Sequence, residues 1–312
     1  MKYPVFDLHC DTSDYLAKGK SLLENDLHID LKRASNFPGY AQCFACFTTD
    51  LRADDPVLML EKKLAAINRE LASNSKYIRQ AYSAEEIEEN YAEGIMSAIL
   101  TLEGSAGYGF DPELLDDLYL AGARIASLCW NEKNILTGSN QTGGGLTDLG
   151  KTFVKKAQKL GILIDTSHIS DEAFWDIIDI TDAPIVATHS NSRACCNHVR
   201  NITDEMFLEI CKAGGVVGIN LYAGFIGEDA TIDALCDHIF HFISLDPSAE
   251  HIALGGDLDG CDKLVAGFTG VESYENLAQC LEKRGLDENI IKKIFWNNAI
   301  EVMKRAVRNN KK

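Results

Sequence analysis

Eight short runs of apolar, largely β-branched residues recur along the chain, each closed by a polar residue and followed by a helical pattern. They are Pro4–His9, Gln42–Thr48, Met96–Glu103, Arg124–Trp130, Gly161–His168, Ala183–His189, Gly215–Asn220 and His251–Asp257. Their apolar character is continuous rather than alternating, which indicates strands buried on both faces in a parallel sheet covered by helices. Strands and helices alternate over 312 residues with six prolines and no Pro/Ser-rich linker. That pattern predicts an α/β fold, a single (β/α)8 TIM barrel spanning residues 1–312. The alternative is an open doubly wound sheet. It would place a glycine-rich phosphate loop after the first strand, where this chain has His9, Cys10 and Asp11.

The intervening segments carry helix signals. Thr147 and Asp148 can cap a helix with Leu149, Phe153, Ala157 and Leu160 on one face and Gly161 as its stop. Ser170 and Thr203, each followed by two acidic residues, are placed to cap two more, the second ended by Gly214. The charged stretch from Asp54 to Ile87 reads as one or two amphipathic helices with a solvated face.

Charge narrows the partners. The formal net charge of −17 repels polyphosphate and anionic lipid alike, so neither nucleic acid nor membrane is an expected partner. The start, MKYPVFDLHCD, reads as the opening of a strand and the end, RNNKK, is charged, so neither an apolar leader nor a lipid anchor is expected. The ten cysteines are scattered without zinc-ribbon spacing and read as buried free thiols. The expected location is cytoplasmic. The oligomeric state stays open, a homodimer included.

In a barrel of this kind the chemistry sits at the C-terminal strand ends. Read in order, those ends supply His9 and Asp11, Thr48 and Asp50, Glu103, Trp130 and Asn131, His168, His189, Asn220 and Asp257. Three histidines and three carboxylates on one rim would be costly to desolvate without a purpose, which points to metal. His9 and Asp11 can share one ion, His168 and His189 a second, and Glu103 has two oxygens with which to bridge them. Nitrogen and carboxylate donors without cysteine suit two zinc ions best, manganese or iron being alternatives. Two such ions about 3.5–4 Å apart would acidify a shared water and polarise a carbonyl. Cys10 should face the barrel wall. His28, His238, His241 and His251 read as structural, and His198 as a possible substrate contact. The fork of Arg200 suits a substrate carboxylate. Asp257, after Gly255 and Gly256, is placed to shuttle a proton, with Asp259 as its competitor.

Five motifs in this order, FDLHCDT, LTLEG, GLTDLGKTFVKKAQKLGILIDTSHIS, ATHSNSRACCNHVRNITDE and LGGDLDG, resemble the membrane (renal) dipeptidase family of the amidohydrolase superfamily, over about Tyr3 to Val307. The resemblance implies a (β/α)8 barrel with two zinc ions that hydrolyses dipeptides, including ones with a D-residue at the C-terminal position. It implies His9 and Asp11 on one zinc, His168 and His189 on the other, Glu103 bridging and catalytic, Arg200 on the substrate carboxylate, and Asp257 handling the proton or the free amine. Mammalian members carry a histidine near the end of strand four; here Trp130 stands in its place, followed by Asn131, and both become candidate substrate-binding residues. The leading expectation is a dinuclear zinc dipeptidase working through a metal-bridging hydroxide. The alternatives are a related hydrolase of cyclic amides or N-acyl amino acids, and a barrel that binds peptide or metal without turnover.

Overall fold

A computed structural model describes residues 1–51 and 54–308; the end of the RNNKK tail lies outside the described residues. Among the described residues nine strands form one parallel sheet. They are β1 (Val5–Cys10), β2 (Tyr40–Phe47), β3 (Ile78–Gln80), β4 (Met96–Glu103), β5 (Ala123–Ser127), β6 (Leu163–Asp165), β7 (Ile185–Ala187), β8 (Val216–Ile219) and β9 (Ile252–Leu254). β1 pairs with both β2 and β9, and β2 pairs with β4, so eight of the strands close into the expected (β/α)8 barrel.

The ninth strand, β3, falls inside the stretch that the charge pattern assigns wholly to helix. That stretch holds two helices, Pro56–Ser73 and Ala84–Ala92, with β3 between them. β2 occupies one edge of β4 from Ser97 to Glu103. The other edge is divided: β3 pairs with Met96 to Ala98, and β5 with Leu100 to Leu102. Three residues with only Ile78 buried carry too little pattern to be read from sequence.

Five strands, β5 to β9, are shorter than their apolar runs, three of them markedly so. β6, β7 and β9 stop before His168, His189 and Asp257, because buried aspartates take over the hydrogen bonding there. The Asp165 carboxylate accepts from the backbone N–H of Ser167 and of Thr188, both at 3.0 Å. Asp7 does the same for His9 and Gly256, at 2.9 and 3.0 Å. Each carboxylate thus straps the rim of its own strand to that of a neighbour.

Capping follows the expected residues. Thr147, Ser170 and Thr203 accept from Gly150, Ala173 and Met206 at the starts of Asp148–Leu160, Asp171–Ile180 and Asp204–Lys212. Gly161 closes the first of these in the left-handed region, φ 86°. Leu149, expected on the buried face, is 38% exposed. The inward place in that turn belongs to Gly150, where a Cβ would stand 2.1 Å from the Leu136 carbonyl oxygen.

The barrel strands all contribute to one apolar cluster that includes Phe6, Leu8, Cys43, Ile99, Ile125, Leu163, Val186, Val216 and Ala253. Trp296, Ile300 and Met303 near the C-terminus join it. A larger cluster packs helices against the outside of the sheet. Cys10 belongs to this outer cluster although Leu8, two residues earlier, belongs to the inner one. A register irregularity between Asp7 and Cys10 accounts for the change of face. All ten cysteines are free, as expected, but only Cys10, Cys43, Cys46, Cys129 and Cys236 are buried; the others reach helix surfaces and loops. No helix among the described residues is long and apolar enough to cross a membrane.

Candidate active site

Most of the residues singled out at the strand ends converge on one rim; Thr48 instead bonds Gly104 and Gly107, and Asp50 is exposed outside the cavity. Glu103, at the last position of β4, lies at the centre, and its two oxygens divide between two groups. Oε2 stands 3.4 Å from His9 Nε2, while Oε1 stands 2.9 Å from His168 Nε2 and 3.9 Å from His189 Nε2. Asp11 Oδ2 is 3.5 Å from His9 Nε2. His9, Glu103, His168 and His189 are all buried.

Each histidine is aimed by its surroundings. Thr188 Oγ1 donates to Asp165 Oδ2 at 2.6 Å, so toward His189 Nδ1, 2.7 Å away, it acts as acceptor. His168 Nδ1 donates to Asn131 Oδ1 at 3.0 Å. In both rings the proton is therefore on Nδ1 and the Nε2 lone pair faces the cluster, the arrangement of histidines that bind metal. His9 Nε2 is buried without a hydrogen-bond partner. A buried nitrogen of this kind is costly unless a cation or proton satisfies it. The donor set, imidazole nitrogen and carboxylate oxygen on two sides of a shared carboxylate, fits a pair of divalent ions.

The electrostatics agree. Burial holds His168 near 4, and with the charges of His9 and Arg200 it holds His189 well below the usual imidazole value; both are neutral. Burial alone would raise Glu103, but the positive charge of His9 holds it well below the usual carboxylate range. Burial and the charge of Glu103 push Asp11 up to about 7. Burial would depress His9, yet Glu103 and Asp11 carry it above its ordinary value.

Above this floor opens a cavity of ≈ 560 Å3, lined by Asp11, Glu103, His168, Arg200 and Asp257, with Trp130 and Asn131 on one wall. Arg200 is buried. Its Nη1 donates to the Ser167 carbonyl, its Nη2 lies 3.2 Å from His168 Nε2, and its plane packs 5.3 Å from the Phe225 ring centroid. Asp257 sits three residues beyond β9 with φ 55°, left-handed for a residue with a side chain. Its Oδ2 accepts from Asn220 Nδ2 at 3.0 Å, and burial raises its pKa. The two preceding glycines are required: a Cβ on Gly255 would stand 1.7 Å from the Thr188 carbonyl oxygen, and one on Gly256 2.3 Å from the Tyr274 hydroxyl. Asp259, the competitor, is committed to Thr12 Oγ1 and the His28 N–H, both at 2.7 Å.

Trp130 packs edge-on against Phe47, 4.9 Å between centroids. His198 also lines the cavity, against Phe225. His238, His241 and His251 each make a hydrogen bond away from the rim, whereas His28 pairs with Asp259 at the edge of the cavity. Asn220 stood among the strand ends without a stated role, and the supporting residues Asp7, Asp165 and Thr188 went unassigned in the sequence. So did Tyr15, Lys18, Phe47, Gln141, Tyr222 and Phe225, which complete the walls. An aspartate two or three positions before a strand-end histidine was the available signal for Asp7 and Asp165; the wall residues have no fixed spacing from the ligands.

Known proteins match this chain in sequence and fold. A Klebsiella pneumoniae protein from the pqqA 5′ region is 32% identical over 266 residues, 81% of this chain and 97% of its own. A Rhodobacter sphaeroides metallopeptidase liganded with a phosphinate mimic of the dipeptide L-Ala-D-Ala superposes with a TM-score of 0.90 at 25% identity, covering 97% of this chain and 99% of that one. Dipeptidase AC, a metallopeptidase of family M19, superposes with a TM-score of 0.89 at 27% identity over 97% and 98% of the two chains. The profile of the membrane dipeptidase family, peptidase family M19, matches residues 1–312. With that match added to the barrel and its histidine–carboxylate rim, the chain belongs to the membrane dipeptidase family, and it is a metal-dependent dipeptidase.

Proposed function

We propose that the enzyme is a dinuclear zinc dipeptidase whose substrates include dipeptides with a C-terminal D-residue. The observation that carries the dinuclear reading is the division of Glu103, one oxygen toward His9 and the other toward His168 and His189. The D-residue reading is supported by the Rhodobacter sphaeroides relative and its L-Ala-D-Ala mimic. When bound, the two ions would acidify a water lying between them and polarise the scissile carbonyl.

The chain's own residues supply the rest. Arg200, buried and braced on Phe225, binds the substrate's C-terminal carboxylate and fixes where the peptide bond lies. Asp257 is held through Oδ2 by Asn220, so Oδ1 takes the proton from the attacking water and passes it to the departing amine nitrogen. Trp130 and Phe47 form an apolar wall that excludes water from one flank. Asn131 has given its carbonyl oxygen to His168; its Nδ2 is free to donate to the oxygen that gains charge.

The test loads the full chain with zinc and measures hydrolysis of L–L and L–D dipeptides, with and without chelator. Chelator-sensitive cleavage of both classes is expected, with two zinc ions per chain. Cleavage unchanged in metal-free protein would refute the reading. Cleavage confined to cyclic amides or N-acyl amino acids would replace the substrate class.

A further inference from the structure

At the opposite end of the barrel, where β8 and β9 begin, three side chains of a different kind meet. Cys211 lies in the last turn of helix Asp204–Lys212, Asp246 closes helix Ile232–Leu245, and His251 leads into β9. One donor atom from each falls within 4.8 Å of the other two. We propose that Cys211, Asp246 and His251 form a separate binding site for a divalent ion of the zinc class, distinct from the catalytic rim.

The orientation of His251 is the independent observation. Its Nδ1 lies 2.7 Å from the Gly215 carbonyl oxygen, and a carbonyl can only accept. Nδ1 therefore carries the proton and Nε2 is left with its lone pair, the tautomer that a backbone carbonyl fixes in metal-binding histidines. Asp246 is also held: Oδ1 accepts from the Ser248 N–H at 3.1 Å and Oδ2 from its hydroxyl at 2.9 Å, and each oxygen keeps a further lone pair. The connecting turn is anchored from outside, since Asn298 Nδ2 donates to the carbonyls of Ala249 and Ile252, both at 2.7 Å. Cys211 is a free thiol. All three residues are partly exposed, so an ion has a way in.

One thiolate, one imidazole and one carboxylate select zinc or cobalt over magnesium or calcium, and a water would complete a tetrahedron. On binding, the S–H bond of Cys211 breaks, its proton goes to solvent, and the electron pair left on sulfur forms the bond to the ion; nothing is oxidised or reduced. The ion would staple two outer helices to the start of β9, at the end of the barrel that serves stability rather than chemistry.

Cobalt(II) titration of the full chain, kept reduced, tests this. The catalytic ligands are nitrogen and oxygen, so a thiolate-to-cobalt charge-transfer band in the near ultraviolet reports a cysteine ligand. The band should appear in the wild type, persist in Cys261→Ser, whose thiol lies at the catalytic cavity, and vanish in Cys211→Ser with one fewer cobalt bound. His251→Gln, which keeps the thiol, should weaken the band-forming affinity at least tenfold and serves if Cys211→Ser does not fold. No band at saturating cobalt, a band that survives Cys211→Ser, one lost in Cys261→Ser, or an unchanged affinity in His251→Gln would each overturn the proposal. None of these outcomes depends on dipeptidase turnover.

Discussion

The Nε2 atoms of His168 and His189 face each other across 3.0 Å, and neither ring has a proton there to give. Asn131 and Thr188 hold the protons on the far side of each ring. Two lone pairs at this separation repel unless positive charge lies between or beside them. Arg200 Nη2, 3.2 Å from His168 Nε2, supplies part of it, and a divalent ion would supply far more.

Loosening this orientation should weaken metal binding without removing a ligand. Thr188→Val deprives His189 Nδ1 of its acceptor, and Asn131→Ala does the same for His168. Each should reduce metal affinity by about 10–100-fold, as measured by competition with a chromogenic chelator. Wild-type affinity in both variants would show that the contacts are incidental.

Proton release should accompany loading. Asp11, at about 7, and His9, above its ordinary value, carry protons at mildly acidic pH. A bound ion needs His9 neutral and Asp11 ionised, so protons are displaced on binding; affinity rises with pH and is lost as pH falls through about 7. Each displaced proton contributes roughly tenfold per pH unit below its pKa. Chelator competition at several pH values checks the slope, and a flat profile contradicts it.

Removing Asp257's charge should affect turnover far more than metal content. Asp257→Asn keeps the side chain's size and its neighbour Asn220 but cannot accept the proton. A fall in kcat of about 10²–10⁴-fold is expected, with both ions retained by elemental analysis. A parallel loss of metal would recast Asp257 as a ligand, as its closeness to His9 and Asp11 permits.

Arg200→Met should cost recognition of the free C-terminus. A charged hydrogen-bond pair is worth roughly 1.5–3 kcal/mol, or about 10–150-fold in kcat/KM. The loss should appear with free dipeptides and nearly disappear with C-terminally amidated ones. Equal losses on both would place the arginine's role elsewhere.

Gly218 and Gly255 both press on the carbonyl of Thr188, where a Cβ would stand 2.0 and 1.7 Å from the oxygen. Alanine at either position should destabilise the protein by about 1–3 kcal/mol and also reduce metal affinity, because His189 follows Thr188 directly. Thermal unfolding and metal titration read the two effects separately.

The barrel and its candidate ligands were legible because both rest on local patterns: continuous apolar runs, each ended by a chemically distinctive residue. His9, Glu103, His168 and His189 meet because β1, β4, β6 and β7, only the last two of them adjacent, end at the same level of one closed parallel barrel. β3 was hidden, since three residues on a shared edge have no periodicity of their own. The roles of Thr188 and of Asn220, the latter visible only as a strand end, were hidden for another reason. Their importance comes from what lies across the rim, His189 Nδ1 and Asp257 Oδ2, and sequence does not record distances between strands.

The aspartate straps have a dynamic consequence. Asp7 joins the turn of His9 to that of Gly256, and Asp165 joins the turn of Ser167 to that of Thr188, each through a carboxylate buried below the cavity. A rim fastened in this way cannot fray one loop at a time, since releasing either turn leaves a buried carboxylate unmatched. The amides of His9, Gly256, Ser167 and Thr188 should therefore exchange with solvent deuterium only when the barrel opens as a whole, while the surrounding wall loops exchange freely. The site that handles water is thereby among the slowest parts of the molecule to admit it to its backbone.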